Sequence, residues 1–353
     1  MQFPKNTRVS SRLIPLLSIS SLSISSRRFS SRAVTLCTLG ALAALMSYAT
    51  TASAQPYPNR PIKIVQGFAA GGNADTIARV IGNELTKTLG QPIVVEARVG
   101  AGGNLASDAV AKSPPDGYTL ALLTGGHTAS GALYKTLPFD PAESFEMIST
   151  ITQFPFLFTV RSDSPFRDLR ALIDAAKAKP ESVGYGTAGI GSTHHLTGEL
   201  LAKMANAPLL HVPYKGDAAA ITSLLGGDLP LVVATPTVAV AHVKAGKLKV
   251  LATSGGTRWQ GMPEVPTAAE AGVAGFDVRS WVGLAAPAGT PRAIVERLHG
   301  ELQKVLQLPE VRARLEALGG EARGSTSQEM KERVTFEVAR WKKVIADSNI
   351  PQQ

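Results

Sequence analysis

Cysteine is nearly missing. The one thiol in 353 residues is Cys37, which lies in an N-terminal stretch with the marks of a removable leader. A chain that has lost this stretch has no disulfide, no thiol nucleophile and no thiolate metal site. Acidic residues are missing from the first 54 positions. Lys5, Arg8, Arg12, Arg27, Arg28 and Arg32 account for six of the nine net positive charges and leave +3 for residues 55–353. A nucleic-acid-binding face needs concentrated basic charge, so no nucleic-acid partner is expected. Long apolar runs are also lacking. Ala33 to Met46 is interrupted by Thr35, Thr38 and Gly40, and it falls short of the roughly 20 residues of a spanning helix.

The start of the chain fits a different pattern. Basic residues precede the apolar run, and small residues follow it, ending in Ala52-Ser53-Ala54. This is the pattern of a secretory signal peptide, residues 1–54, with cleavage expected after Ala54. A periplasmic protein is the expected product.

Several chemistries lack their residues. Gly67 and Gly72 have the spacing of a Walker A loop, but Asn73-Ala74 stand where Lys and Ser or Thr are needed. Gly100-Ala-Gly-Gly-Asn-Leu105 comes close to a dinucleotide fingerprint, with Leu105 in place of its last glycine. No cofactor is expected. Ala252-Thr-Ser-Gly-Gly256 has a loose nucleophile-elbow spacing, yet the only later histidine is His299, mid-helix among charged residues. No catalytic residues are expected. His194 and His195 are adjacent, and neighbours on a helix point about 100° apart. His127, His211 and His242 are scattered, and no H-E-x-x-H spacing exists. No metal site is expected.

What the chain does have is alternation. Strand-like runs at 62–66, 92–96, 118–123, 156–161, 209–212, 231–233 and 249–253 interleave with helix-like runs. That alternation predicts an α/β fold with a mostly parallel sheet covered by helices. The sequence strand, glycine loop, helix occurs twice. "GFAAGGNADTIAR" (67–79) is the first case, with its helix expected from Asp75. "GTAGIGSTHHLTGELLAKM" (186–204) is the second, with its helix expected from Thr193. Two lobes that each offer a helix N-terminus to a shared cleft make a clamshell, whose usual motion is hinge closure on a ligand. The first N–H groups of a helix have no intrahelical partner, the macrodipole adds positive charge there, and glycine lets the backbone come close. Such a loop holds an anion without a lysine.

A series of stretches in order, among them "YPNRPIKIVQGFAAGGNADTIAR", "LYKTLPFDP", "HVPYKGDAAAITSLLGGDL", "VPTAAEAG" and "WVGLAAPAGTP", resembles the substrate-binding component of tripartite tricarboxylate transporters, the Bug-type (TctC-like) periplasmic binding proteins. The likeness runs from Tyr57 to Ile350. It implies a two-lobed, type II periplasmic-binding-protein fold with crossing hinge strands. Lobe 1 would take residues 55–155 and 281–353, and lobe 2 residues 156–280. It also implies a monomer that holds a small carboxylate through backbone N–H groups and passes it to the membrane subunits of a transporter. An extracytoplasmic sensor component is the alternative.

Carried onto this chain, the resemblance places ligand contacts at Phe68, Ala69, Ala70, Gly71, Gly72 and Asp75 in the first loop, with Asp75 more a helix cap than a contact. Ala188, Gly189, Ser192, Thr193 and His195 follow in the second loop, and Thr124 and Thr235 at strand ends. Ser192 and Thr193 are expected to donate hydroxyls, and His195 either to donate or to pack against its loop. Adding a β-branched side chain at Gly72 is expected to be costly if its φ is positive. Trp281 is expected in the hinge or core, and Lys215 either at the cleft edge or on a solvated turn. Two departures stand out. Ala69-Ala70 replace the family's prolines. Ala234-Thr235 replace an Asp-Asn pair, which removes an acidic partner for a ligand amine and favours a plain or aromatic carboxylate.

Overall fold

The computed structural model describes residues 57–347 and 349–353. The expected signal peptide and Cys37 lie outside the described residues. Residues 56–353 form one compact unit built on two sheets.

The first sheet contains β1 (Ile62–Gln66), β2 (Ile93–Ala97), β3 (Thr119–Thr124), β4 (Phe145–Pro155), β10 (Arg279–Pro287) and β11 (Glu321–Ala322), in the order β11-β4-β10-β3-β1-β2. The second contains β5 (Leu157–Arg161), β6 (Gly184–Thr187), β7 (Leu210–Pro213), β8 (Leu231–Ala234) and β9 (Leu248–Thr253), in the order β7-β6-β8-β5-β9. The chain passes from one sheet to the other between Pro155 and Leu157, and β10 brings it back.

Neither sheet is mostly parallel, which corrects the sequence expectation. β1 pairs in parallel with β2 and β3, and β6 with β7 and β8. The strands near the crossing are antiparallel: β10 to β3 and β4, and β5 to β8 and β9. Alternation with helices dictates parallel pairing only where a helix makes the crossover. β4 and β10 were not legible as strands of one sheet because they meet over more than a hundred residues of intervening chain.

Ten helices cover these sheets among the described residues. Those that matter for the cleft are α1 (Asn73–Leu89), α2 (Asn104–Ala111), α3 (Gly125–Leu133), α4 (Leu169–Ala178), α5 (Thr193–Met204), α6 (Asp217–Gly226) and α7 (Pro236–Lys244). α8 (Arg292–Gln307), α9 (Pro309–Ala317) and α10 (Ser327–Asp347) follow β10 and return to the first lobe. α1 shows why they hold: Ile77, Val80, Ile81 and Leu85 recur at helical spacing and are all buried. Gly90, at φ 69°, ends it in the left-handed region that favours glycine. β1 lies between β2 and β3, so Ile62 and Ile64 are fully buried while Lys63 stays out. Trp281 is fully buried in β10, and its indole N–H donates to Glu337 Oε2 of α10 at 2.7 Å. It is a core anchor that ties the C-terminal helix to the first sheet.

Candidate functional site

β1 ends in Gln66, whose buried side-chain amide brackets the next residue but one. Its Oε1 accepts from Phe68 N at 2.7 Å, and its Nε2 donates to Phe68 O at 2.8 Å. The first glycine loop is therefore fixed at its root. It is also held across the cleft, where Ala69 N donates to Lys215 O at 3.0 Å. Gly71 has φ +81°, and Gly72, the residue before α1, has φ −77°. The expectation of a positive φ therefore belongs one residue earlier. α1 begins at Asn73, and no side chain caps it. Asp75 sits in the first turn and faces its own loop, where it accepts from Gly71 N at 3.1 Å and from Arg79. Burial opposes ionisation of Asp75, but Arg79 and the Gly71 N–H outweigh it and hold the carboxyl below its usual range.

The second loop has its own cap. Ser192 Oγ accepts from His195 N at 3.3 Å and donates to Gly189 O at 2.6 Å. The hydroxyl expected to serve a ligand is spent on the helix start and the loop. Beside it, Thr193 Oγ1 is buried and has no hydrogen-bond partner.

A third helix start joins these two. Thr124 caps α3 by accepting from Gly126 N at 3.2 Å. The lobes touch tightly here. A Cβ on Gly102, at φ +64°, would stand 2.6 Å from Ile190 O, so only glycine allows this backbone approach. Ser130 Oγ also donates to Gly191 O at 3.1 Å.

Between these three helix starts and a fourth, that of α6 at Asp217, lies a cavity of about 20 Å³, enough for one water. Phe68, Asn73, Ala74, Thr124, Gly126, Phe154 and Ser280 line it from the first lobe, and Ala188, Ser192, Thr193, His194 and Asp217 from the second. Of the sequence-predicted residues, the structure brings Phe68, Thr124, Ala188, Ser192 and Thr193 onto its wall. Gly72 is buried just behind: a Cβ there would lie 3.1 Å from Asp217 Oδ1. Ala69 packs against the Lys215–Gly216 turn, while Ala70 and Gly71 are exposed. Gly189 lines a separate mouth of about 260 Å³ beside Tyr134 and Tyr214. His195 turns away from the cavity and stacks on His211 at 4.1 Å. Burial pushes His195 down to about 4 and His211, which also feels His195, down to about 3. Thr235 stands one step behind the wall and donates to Asp217 Oδ2 at 2.5 Å.

Of the seven wall residues absent from the sequence-predicted set, His194 and Asp217 are the two with titratable side chains. His194 packs against Phe156 with ring centroids 4.5 Å apart, and neither ring nitrogen has a hydrogen-bond partner. Its Nε2 is 3.6 Å from Asp217 Oδ2, longer than a hydrogen bond. Asp217 opens α6 and is 4% exposed. Burial raises its carboxyl, yet His194 and the Thr235 hydroxyl outweigh that and hold it below the usual carboxylate range. A signal for Asp217 was present: β7, Gly216 and α6 form one more strand–glycine–helix unit.

Chemically, the wall offers helix-start N–H groups, one unpartnered hydroxyl, apolar rings and one buried carboxylate. Ser254, of the apparent elbow, accepts from Phe156 N and donates to Val278 O, and His299 bonds Ser325 O. Neither is set up for nucleophilic attack. Among the described residues no group of three or more His, Cys, Asp or Glu side chains could hold a metal ion, and no helix is long and apolar enough to cross a membrane.

The model of the tripartite tricarboxylate transporter family receptor, TctC, matches residues 77–350. The chain belongs to this family. Three solved structures share its fold and about a third of its sequence. The periplasmic binding protein BugD is 33% identical with a TM-score of 0.81, covering 84% of this chain and 100% of its own. Rpa4515 of R. palustris, solved with adipate, is 35% identical with a TM-score of 0.80, covering 84% and 99%. MatC (Rpa3494) of Rhodopseudomonas palustris, with bound malate, is 34% identical with a TM-score of 0.78, covering 82% and 100%. The TctC-like fold accounts for the two lobes and for the crossing strands β4, β5 and β10. It identifies the chain as a solute-binding protein of the Bug type.

Proposed function

We propose that this protein is exported to the periplasm, captures a small carboxylate between its lobes as a monomer, and delivers it to the membrane subunits of a tripartite tricarboxylate-type transporter without catalysis. The observation that carries this reading is the meeting of four helix N-termini, α1 and α3 from one lobe and α5 and α6 from the other, on one buried cavity. Each contributes about half a positive charge and N–H groups that α1 in particular leaves without a side-chain cap. The adipate and malate bound by two relatives support a carboxylate as the ligand. Phe68, Asn73, Thr124, Ala188, Thr193 and the N–H groups after Gly72 would form the wall against it.

A cavity for one water does not hold a dicarboxylate. Binding therefore includes parting of the lobes around Gly102 and Ile190, by the hinge motion of two-lobed binders. The test is a thermal-shift screen of the mature protein over mono-, di- and aromatic carboxylates, followed by calorimetry. A ligand present at a hundred times its Kd adds about 2.7 kcal/mol of stability, a clear rise in melting temperature. A panel in which sugars or simple cations stabilise the protein and no carboxylate does so would overturn the reading.

A further inference from the structure

The cleft wall includes a carboxamide that is held from the opposite lobe. Asn73 opens α1, is 7% exposed and lines the cavity. Its Oδ1 accepts from the hydroxyl of Thr237, in the first turn of α7, at 2.6 Å. The same hydroxyl lies 2.8 Å from the carbonyl of Leu318, at the end of α9. Asn73 and Leu318 belong to the first lobe, and Thr237 to the second. The seam beside them is close-packed. A Cβ on Gly319, at φ +85°, would stand 2.0 Å from Pro236 Cβ, so only glycine lets the end of α9 approach the start of α7.

A hydroxyl has one proton and two lone pairs, so Thr237 gives a full hydrogen bond to one of these two oxygens at a time. When the proton goes to Leu318 O, Thr237 Oγ1 is left as an acceptor. That arrangement suits an Asn73 amide turned with its NH2 to Thr237 and its oxygen to the cavity. When the proton goes to Asn73 Oδ1, the amide is turned the other way, and Nδ2 is the end left for the cavity. An ionised carboxylate only accepts hydrogen bonds. It is repelled by the first arrangement and favoured by the second, where the bond from Nδ2 is charge-assisted. A neutral side chain thereby adds a directed donor to a wall that has no Lys or Arg.

We propose that Asn73 Nδ2 donates to the ligand carboxylate, and that Thr237 is a positioning residue that turns the amide for this from the other lobe. The proposal rests on the carboxylate reading of the cleft. It ties recognition to closure, because the amide is fixed only while the start of α7 stands against the start of α1.

The test is calorimetry on the mature protein with acetate, succinate, malate, adipate and benzoate as probes, pursued with whichever binds most tightly. Asn73→Ala should weaken that probe roughly tenfold to a hundredfold, as loss of a hydrogen bond to a charged group does. Thr237→Val keeps the shape, removes the hydroxyl and should weaken it about tenfold, while Thr237→Ser should stay within about threefold of wild type. In the Asn73→Ala background, Thr237→Val should cause no further loss, since a residue that acts through another is silent without it. Asn73→Asp keeps an acceptor for Thr237 and puts an acid in the first turn of α1, so melting should hold or rise. Its affinity should nonetheless fall by more than about a hundredfold, because like charges repel in a buried site. This variant serves as the test if Asn73→Ala does not fold. Wild-type affinity in Asn73→Ala or Asn73→Asp, or an equal loss from Thr237→Val in both backgrounds, would overturn the inference and leave the carboxylate site standing. If no probe binds, the carboxylate site falls and the inference falls with it.

Discussion

The two glycine loops look alike in sequence and are built differently. The first, Gly67 to Gly72, is secured from outside the helix it leads into. Gln66 brackets Phe68, Asp75 reaches back to Gly71 N, and Lys215 of the other lobe accepts from Ala69 N. α1 starts with no side-chain cap, and its first residues, Asn73 and Ala74, line the cavity. The second, Ala188 to Ser192, is secured from within, because Ser192 caps α5 and ties back to Gly189. The hydroxyl left over is that of Thr193. A loop that consumes its own polar groups positions a helix, and a loop that leaves them unused can bind. By this argument the first loop supplies backbone donors, and the second supplies Thr193 and its neighbours His194 and Asp217.

The largest effect should come from Gly72→Val. With φ −77° and ψ 177° the backbone accepts a β-branched residue. The new Cβ, however, would stand 3.1 Å from Asp217 Oδ1 and 3.4 Å from Ala69 O. The fold should survive, and affinity for the tightest carboxylate of the panel should drop a thousandfold or more, about 4 kcal/mol. The neighbour gives the opposite result. Gly71 has φ +81° and open space around it, so Gly71→Ala should cost about 1 kcal/mol of stability and leave affinity within a few-fold. Calorimetry and melting on both variants would break the comparison if Gly71→Ala proved the worse binder.

Acid should separate the two loops. The His195 ring, buried beside the second loop, has its pKa pushed down to about 4, even with Glu199 at 3.9 Å. A histidine held neutral in the folded chain contributes stability that is whole above the ordinary value of 6.5. That contribution is lost as pH falls from there towards 4, up to about 3 kcal/mol. Asp75, on the first loop, is held below its usual value of 3.8, so its contribution is lost only at lower pH. Hydrogen exchange at about pH 5 should thus show α5 opening more readily than at pH 7, with the start of α1 unchanged. Equal loosening of both would refute the difference.

Adjacent hydroxyls on the second loop sharpen the contrast further. Thr193→Val removes a donor with no partner in the protein. Affinity should fall tenfold to a hundredfold, the value of a hydrogen bond to a charged group at about 1.5–3 kcal/mol. Melting should hold or rise. Ser192→Ala removes a cap, so stability should fall by about 1 kcal/mol while affinity changes less than tenfold. A reversed pattern would return Ser192 to the ligand.

Much of this plan was legible in the residues. Periodicity marked α1, and glycine before a polar helix start marked both loops, because these depend on local geometry. Thr124 was placed at the cleft although α3 was not foreseen: Gly125, Gly126 and Gly131 make "GGHTASGAL" a poor helix former, and it is packing against α10 that holds it. The antiparallel β4 and β10 were hidden because their pairing joins distant segments. Asp217 was hidden for the same reason. Its neighbours His194, Thr235 and Gly72 are brought to it by tertiary contact, and a lone acid at a helix start looks like a cap until a cavity is found in front of it.

The smallest effect tests whether the cleft needs a cation on its edge. Lys215 follows β7 on a turn, and its side chain is exposed. The contact it makes with the first loop is through its carbonyl, which accepts from Ala69 N at 3.0 Å. Truncating the side chain leaves that bond in place. An exposed amine at the rim is screened by water and salt, so it adds little to a buried anion. Lys215→Ala should therefore change affinity by less than twofold at 0.15 M salt and leave the melting temperature unaltered. Titrations at low and high salt separate a rim charge from a direct contact, since only the first is screened away. If Lys215→Ala abolished binding at both salt concentrations while Gly72→Val bound normally, the anion would be held by a side-chain ion pair. The helix starts would then only frame the cleft, and the difference between the two loops would concern folding rather than binding.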